Sequence, residues 1–418
     1  MRARQGGGVR VQSADPTHRP ARMKRHLFAL ALACATATAD PLPEGPPQAQ
    51  GFAPERLARL DRYLADSVAR GDHLSAVVLV MRHGRVVDWQ AWGHRDTARR
   101  EPLPRDAIFR IDAMSRAVTA AAVLTLMEEG RVNLDDAVAA YLPALRGLRL
   151  ADGSAPRQGP TIRQVLAQTA GFGTAAGLDG AADLDEYIMR LAATPLAAEP
   201  GSRFRDDAIC AVVAGKLVEA VSGLRFDAFL HKRLLQPLGM RDTGFVVAPA
   251  ARHRIAAVTT TDANGALVAP PQPPAGQRIT PHLNGAIGLY STAGDYARFA
   301  QMLLNGGELD GIRVLGRKSV ELMLQNHLSH LAPPTHDEHG AEGYGLGGGV
   351  VLDLARRGRL GSVGQFGWTG AQSTWFTVDR QERLVAVLML QHLPQPVVGD
   401  ASRPAVRVSN LLYQALAR

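Results

Sequence analysis

The chain has 418 residues, 46% hydrophobic and 21% charged, an ordinary globular composition with enough apolar material for a sizeable core. Its net charge of +8 is concentrated at the start: residues 1–26 hold seven Lys/Arg and one Asp, which leaves about +2 for the rest. No Arg/Lys stripe interleaved with aromatics follows, so nucleic acid is not an expected partner, and the two cysteines, Cys34 and Cys210, give no disulfide framework once the first leaves with a leader.

Residues 23–39 read as that leader. Met23-Lys24-Arg25-His26 is a basic start, Leu27 to Ala33 a short apolar run, and Ala37-Thr38-Ala39 an A-x-A cleavage site before Asp40. Residues 1–22 then form an upstream extension. The apolar run is too short to span a bilayer, and Ala31-Leu32-Ala33 is a poor lipobox for Cys34, so export to the periplasm or medium is expected rather than a lipid anchor. Residues 40–50 form a Pro-rich linker.

The folded part, 51–418, begins with an amphipathic helix over Pro54 to Arg70, with Leu57, Leu60, Leu64 and Val68 on one face. Two apolar strands, Ser75 to Arg82 and Arg85 to Trp92, flank the turn His83-Gly84. A buried helix covers Thr119 to Glu129, closed by Gly130. Residues 135–250 read as mostly helical with Gly/Pro loops, including helices over Val212 to Val221 and Phe226 to Leu235. A helix over Tyr296 to Leu304, a second hairpin of Thr374 to Val378 with Leu384 to Gln391, and a last helix over Ala405 to Ala417 complete the chain. Strands at both ends with helices between them predict an α/β (α+β) fold. An antiparallel sheet is flanked by the N- and C-terminal helices; its α/β part covers about 51–112 and 280–418, and an inserted helical lobe about 113–279. A site at the lobe boundary is the default expectation.

No G-x-S-x-G, GxxxxGK[ST] or HExxH occurs. The four lysines are Lys24, Lys216, Lys232 and Lys318, and no Ser lies three residues before any of them, so no S-x-x-K exists. His327, His330, His336 and His339 lie close together, and H-x-x-H pairs can ligate Zn or Ni; the Pro-containing loop that carries them reads instead as solvated, so they form a weak candidate and neither metal nor cofactor is expected. Cys210 reads as a buried helix cysteine rather than a reactive thiol.

The context of an S-x-x-K enzyme is nevertheless present. Ile108-Phe109-Arg110-Ile111-Asp112-Ala113-Met114-Ser115-Arg116-Ala117-Val118-Thr119, then Thr161-Ile162-Arg163-Gln164-Val165-Leu166, Pro237-Leu238-Gly239-Met240-Arg241-Asp242-Thr243-Gly244-Phe245, and the stretch 288–311 together resemble the serine β-lactamase-related superfamily, the penicillin-binding-protein fold, and most closely its family VIII carboxylesterase branch. The resemblance runs over about 52–418. It implies an acylated Ser at the position held here by Ala113, a proton-accepting Lys at Arg116 and a proton-relaying Tyr at Asp206. Alanine has no Oγ, and guanidinium cannot act as a base near neutrality. The third motif survives as Gly367-Trp368-Thr369-Gly370-Ala371, which the resemblance places on an edge strand lining the pocket, with the amides of Ala113 and Ala371 as oxyanion donors. A register shifted to Ser115 turns the side chain about 200° around the helix and puts Val118 where a base is needed. A buried Arg116 needs a partner, and Asp206 is the expected one.

Three functions from different classes follow. The leading one is a hydrolase homologue that is catalytically dead or severely impaired, holding a small acyl, peptide or glycan ligand. The second is an esterase, β-lactamase or D-amino peptidase of non-standard mechanism, such as Asp206 activating water. The third is a structural or partner-binding envelope protein whose partner the sequence does not name.

Overall fold

Runs of Val, Leu and Met with no polar alternation form strands buried on both faces, and they build the centre of the molecule. The computed structural model describes residues 41–396 and 404–417. The expected leader over 23–39, the extension 1–22 and Cys34 lie outside the described residues. Helix α1 (Pro54–Arg70) leads into β1 (Ser75–Arg82), every residue of which is buried, and β2 (Arg85–Gly93). Helix α2 (Ser115–Glu128) is buried almost all round, and α3 (Ile209–Ser222) packs with it in the main core. After α4 (Ala293–Leu304) come β3 (Glu342–Tyr344), β4 (Gly349–Val351), β5 (Phe366–Thr369), β6 (Trp375–Asp379), β7 (Leu384–Met389) and α5 (Ala405–Tyr413).

These strands form one seven-stranded antiparallel sheet in the order β2-β1-β7-β6-β5-β4-β3. β1 and β7, at opposite ends of the chain, are central neighbours, with Val77 opposite Met389 and Arg82 opposite Leu384. The expected joining of both hairpins in one sheet therefore holds. One face carries a core of Leu57, Leu60 and Leu64 from α1 with Val408 and Leu412 from α5; the other packs against α4, and α2 and α3 pack on each other in the same larger core. Among the described residues no helix is long and apolar enough to cross a membrane.

Three expectations need correction. The segment 135–250 is less helical than its composition suggests: short helices such as Ile162–Leu166 and Leu184–Ala192 are joined by long irregular connections, because Pro143, Pro160, Pro195 and Pro200 interrupt backbone pairing. Helix α2 starts at Ser115, one turn before Thr119. The last helix ends at Tyr413, where the sequence pattern continues to Ala417.

Candidate functional site

A single tight turn, Asp112–Met114, runs straight into α2 and carries Ala113, which is half-buried. Asp112 stands just before it at φ 42°, left-handed backbone that a non-glycine residue adopts only when its surroundings hold it. What holds it is visible. The Asp112 carboxylate accepts the Gln372 amide at 2.9 Å, and the Gly370 amide donates to the Thr374 carbonyl at 2.9 Å. A Cβ on Gly370 would collide with Thr374 Oγ1 and press on the Ile111 carbonyl oxygen at 2.8 Å, so only glycine lets the end of β5 lie against this turn. Burial pushes the Asp112 carboxyl up to about 6, against the pull of the Gln372 amide and Arg110. Among the described residues neither the Ala113 nor the Ala371 amide donates to an acceptor. Ala371 is exposed at the tip of the turn.

Arg116 is one helical turn beyond Ala113, and its side chain is 7% exposed. It donates from Nη1 to Asp206 Oδ1, so the expected ion pair forms. The pair is not sealed: the Asp206 side chain is 52% exposed, because it sits on the open loop ahead of α3. Burial opposes the guanidinium charge, but Tyr344 and Asp206 together outweigh it and hold Arg116 as a cation. Ser115 faces away, fully buried, and its Oγ accepts the Leu289 amide at 3.3 Å. Cys210 is buried too, with its thiol pushed well up by burial, so it is not a reactive thiol.

The β5 strand is not the sheet edge that the sequence resemblance suggests. It pairs with β6 along its length and with β4 through Phe366 and Gly367. Only Trp368 and Thr369 keep a free side, because β3 and β4 extend the sheet beyond them. These added strands bring Tyr344, a residue that sequence reasoning missed. Tyr344 is fully buried, meets Trp368 edge-on with centroids 4.9 Å apart, and lies 5.1 Å from the Phe204 ring. Its hydroxyl lies beside the Arg116 guanidinium without a well-formed hydrogen bond, and burial pushes its pKa up despite that positive charge. Gly347, at φ 85°, allows the approach: a Cβ there would come within 2.7 Å of the Arg116 carbonyl oxygen. The glycine-rich stretch 343–349 was the available signal.

The four clustered histidines do not converge. His327 Nε2 meets the Leu322 carbonyl at 2.9 Å, His330 Nε2 meets the Gly201 carbonyl at 3.0 Å, and His339 is exposed beside Glu338. His336 alone enters the site, packed on Phe204 and Trp368 and held neutral mainly by burial. Among the described residues no group of three or more His, Cys, Asp or Glu is placed to hold a metal ion, so the weak candidate fails.

A sequence profile described as Beta-lactamase matches residues 60–410. Protein Rv1367c of Mycobacterium tuberculosis is 31% identical over 363 residues, 79% of this chain and 88% of that protein. Esterase EstB of Burkholderia gladioli is 35% identical over 215 residues, 47% of this chain and 54% of that protein. Among solved structures, EstCE1, a hydrolase with promiscuous acyltransferase activity, superposes with a TM-score of 0.73 at 24% identity, covering 87% of this chain and 99% of that one. Simvastatin synthase (LovD) from Aspergillus terreus gives 0.70 at 22% identity over 87% and 98%. At these identities the structures speak to the fold.

Proposed function

We propose, from the premise that this chain belongs to the β-lactamase family, that it holds a small acyl, peptide or glycan ligand in the cleft and does not form the family's acyl-enzyme. One observation carries this reading: the tight turn that leads into α2 presents a methyl group at Ala113, and the first turn of α2 a paired guanidinium at Arg116. An acyl group cannot be transferred to a carbon that bears no oxygen, and a guanidinium with pKa above about 12 does not accept a proton near neutrality. Asp206 is engaged with that guanidinium, and the Tyr344 hydroxyl is held as a neutral phenol. What remains is a pair of unengaged amides at Ala113 and Ala371 beside Trp368, Thr369 and Gly370. Backbone donors of this kind attract a carbonyl oxygen or carboxylate whatever the side chain. The likeness to an esterase supports an acyl-bearing ligand.

Labelling with a fluorescent penicillin and a fluorophosphonate, beside turnover of nitrocefin and p-nitrophenyl butyrate, tests the reading. No adduct, no burst and near-background hydrolysis are expected. A covalent adduct or robust turnover sinks it. Ligand-induced thermal shifts separate ligand binding from a purely structural role. A second reading, direct attack by an activated water, is favoured by His336, a neutral imidazole whose Nε2 is 3.7 Å from Glu342 Oε2 and which lies close to Asp206. Turnover that survives serine-directed inhibitors and is lost in both His336→Gln and Asp206→Asn would establish it. Export belongs to the same proposal and rests on residues 23–39.

A further inference from the structure

Asp206, Trp368 and Thr369 also line a chamber of about 360 Å3, built by β3 to β6, the start of α5 and the loop that carries Arg357 and Arg359. That volume is at the lower end for small-molecule pockets, roughly 300–1,000 Å3. Its charges are unevenly matched. Arg357 is buried and paired: Nε donates to Glu342 Oε1 at 2.6 Å and Nη1 to Gln365 Oε1 at 3.0 Å, with the side chain 7% exposed. Arg359 reaches the same Glu342 oxygen from Nη2 at 3.3 Å, with its side chain 27% exposed. Two guanidinium groups therefore share one carboxylate. The nearby Asp337 carboxylate is occupied by the Ala341 and Glu342 amides, and Asp206 by Arg116. Burial and the Arg357 charge outweigh Glu342 and Asp337 and hold Arg359 below its ordinary pKa range, which marks a cation poorly compensated where it sits. Four apolar side chains, Trp368, Trp375, Val350 and Val406, line the chamber beside polar ones such as Gln365, Thr369 and Thr377. His336 Nε2, buried here, has no hydrogen-bond partner.

We propose that this chamber is an anion seat taking the carboxylate of an apolar acyl or aryl acid, with Arg359 as its charge partner and the two tryptophans against its apolar body. The proposal rests on the ligand-binding reading above and names its ligand class. A carboxylate at Arg359 supplies the negative charge that Glu342 gives mainly to Arg357, and it does so in a partly desolvated place where a charge-assisted hydrogen bond counts for more than on the surface. A small hydrated anion would gain the charge contact and leave the apolar walls wet. A neutral amide would fill the walls and leave the cation as it was.

Calorimetric titration of the full chain with octanoate, octanamide and inorganic sulfate tests this, using wild type, Arg359→Gln and Arg359→Lys. Octanoate is expected to bind wild type at least about tenfold more tightly than octanamide or sulfate, and to lose at least about tenfold in Arg359→Gln. Arg359→Lys keeps the charge and should recover part of that loss. A melting temperature within about 1 °C of wild type shows that the variants are folded. Equal octanoate affinity in wild type and Arg359→Gln, or no octanoate binding at all, overturns the seat. Hydrolysis of p-nitrophenyl octanoate by wild type would instead sink the non-catalytic reading, and the comparison of octanoate with octanamide would still decide the seat.

Discussion

Asp206→Ala removes the acceptor of a guanidinium that is 93% buried, and its cost follows from how the pair is exposed. At about 4 Å and an effective dielectric of about 20, two unit charges attract by about 4 kcal/mol. Breaking a fully buried pair costs about 3–5 kcal/mol, whereas exposed pairs contribute about 0–1 kcal/mol. Here one partner is sealed and the other is half in water, so the expected loss is about 2 kcal/mol. Because the described fold is large, that is a fall in Tm of only about 2–3 °C. Asp206→Asn keeps an acceptor and should lose about half as much. Arg116→Met with Asp206→Ala replaces the pair by apolar packing against Tyr344, and should return to within about 1 kcal/mol of wild type. Differential scanning calorimetry on wild type, Asp206→Ala, Arg116→Met and the double variant closes the cycle. A neutral Asp206→Ala, or single losses that simply add in the double variant, would refute the idea that Asp206 is there to serve Arg116.

Restoring the family residues with Ala113→Ser alone should recover little esterase activity, because Arg116 leaves the hydroxyl without a base; Ala113→Ser with Arg116→Lys and Asp206→Tyr should yield measurable p-nitrophenyl butyrate hydrolysis. If the single change proves as active as the triple, the assigned roles are wrong. Gly347→Ala should cost about 2 kcal/mol or more in urea unfolding, since it meets both a left-handed φ and the Arg116 carbonyl; a neutral change would show that the β3–β4 turn does not rest on α2. Asp88 lies against Asp61, and burial, with that carboxyl, pushes it up from 3.8 to about 7. The folded state thus holds a proton that the unfolded chain gives up, so stability falls as pH rises from about 4 to about 7 and then levels; Asp88→Asn should flatten thermal stability across that window, and an unchanged slope would contradict it. N-terminal sequencing of secreted protein should begin at Asp40; retention of residues 1–22 would rule out the leader.

The parts of this fold that the sequence disclosed are those written locally or in long runs. Ser75 to Arg82 is apolar throughout and so reads as a central strand. The one-turn spacing of Ala113 and Arg116 fixes them on one stripe of a helix. The Arg116–Asp206 contact spans 90 residues, and no periodicity could suggest it; it came from the resemblance and from the need of a buried guanidinium for an acceptor. The strands Glu342–Tyr344 and Gly349–Val351 escaped notice because three residues are too few to show an alternation and glycines blur what there is. With them went Tyr344, the pairing of β5 on both sides, and the chamber around Arg359. The histidines between 327 and 339 misled in the opposite sense: closeness along the chain did not survive a loop that sends His327 and His330 to separate backbone carbonyls.

The short open stretch of β5 limits what the sheet can grip. A polymer docking as an extra strand needs a row of unpaired amide and carbonyl groups. Those of Phe366 and Gly367 are already taken by β4, and past Thr369 the chain turns away at Gly370. What is left is two residues, about 7 Å of backbone at about 3.3 Å each. That is room for one amide or ester linkage and its immediate neighbours. An internal stretch of a long chain finds no ladder on β5, so a polymer that met this strand would do so by an end or a side group.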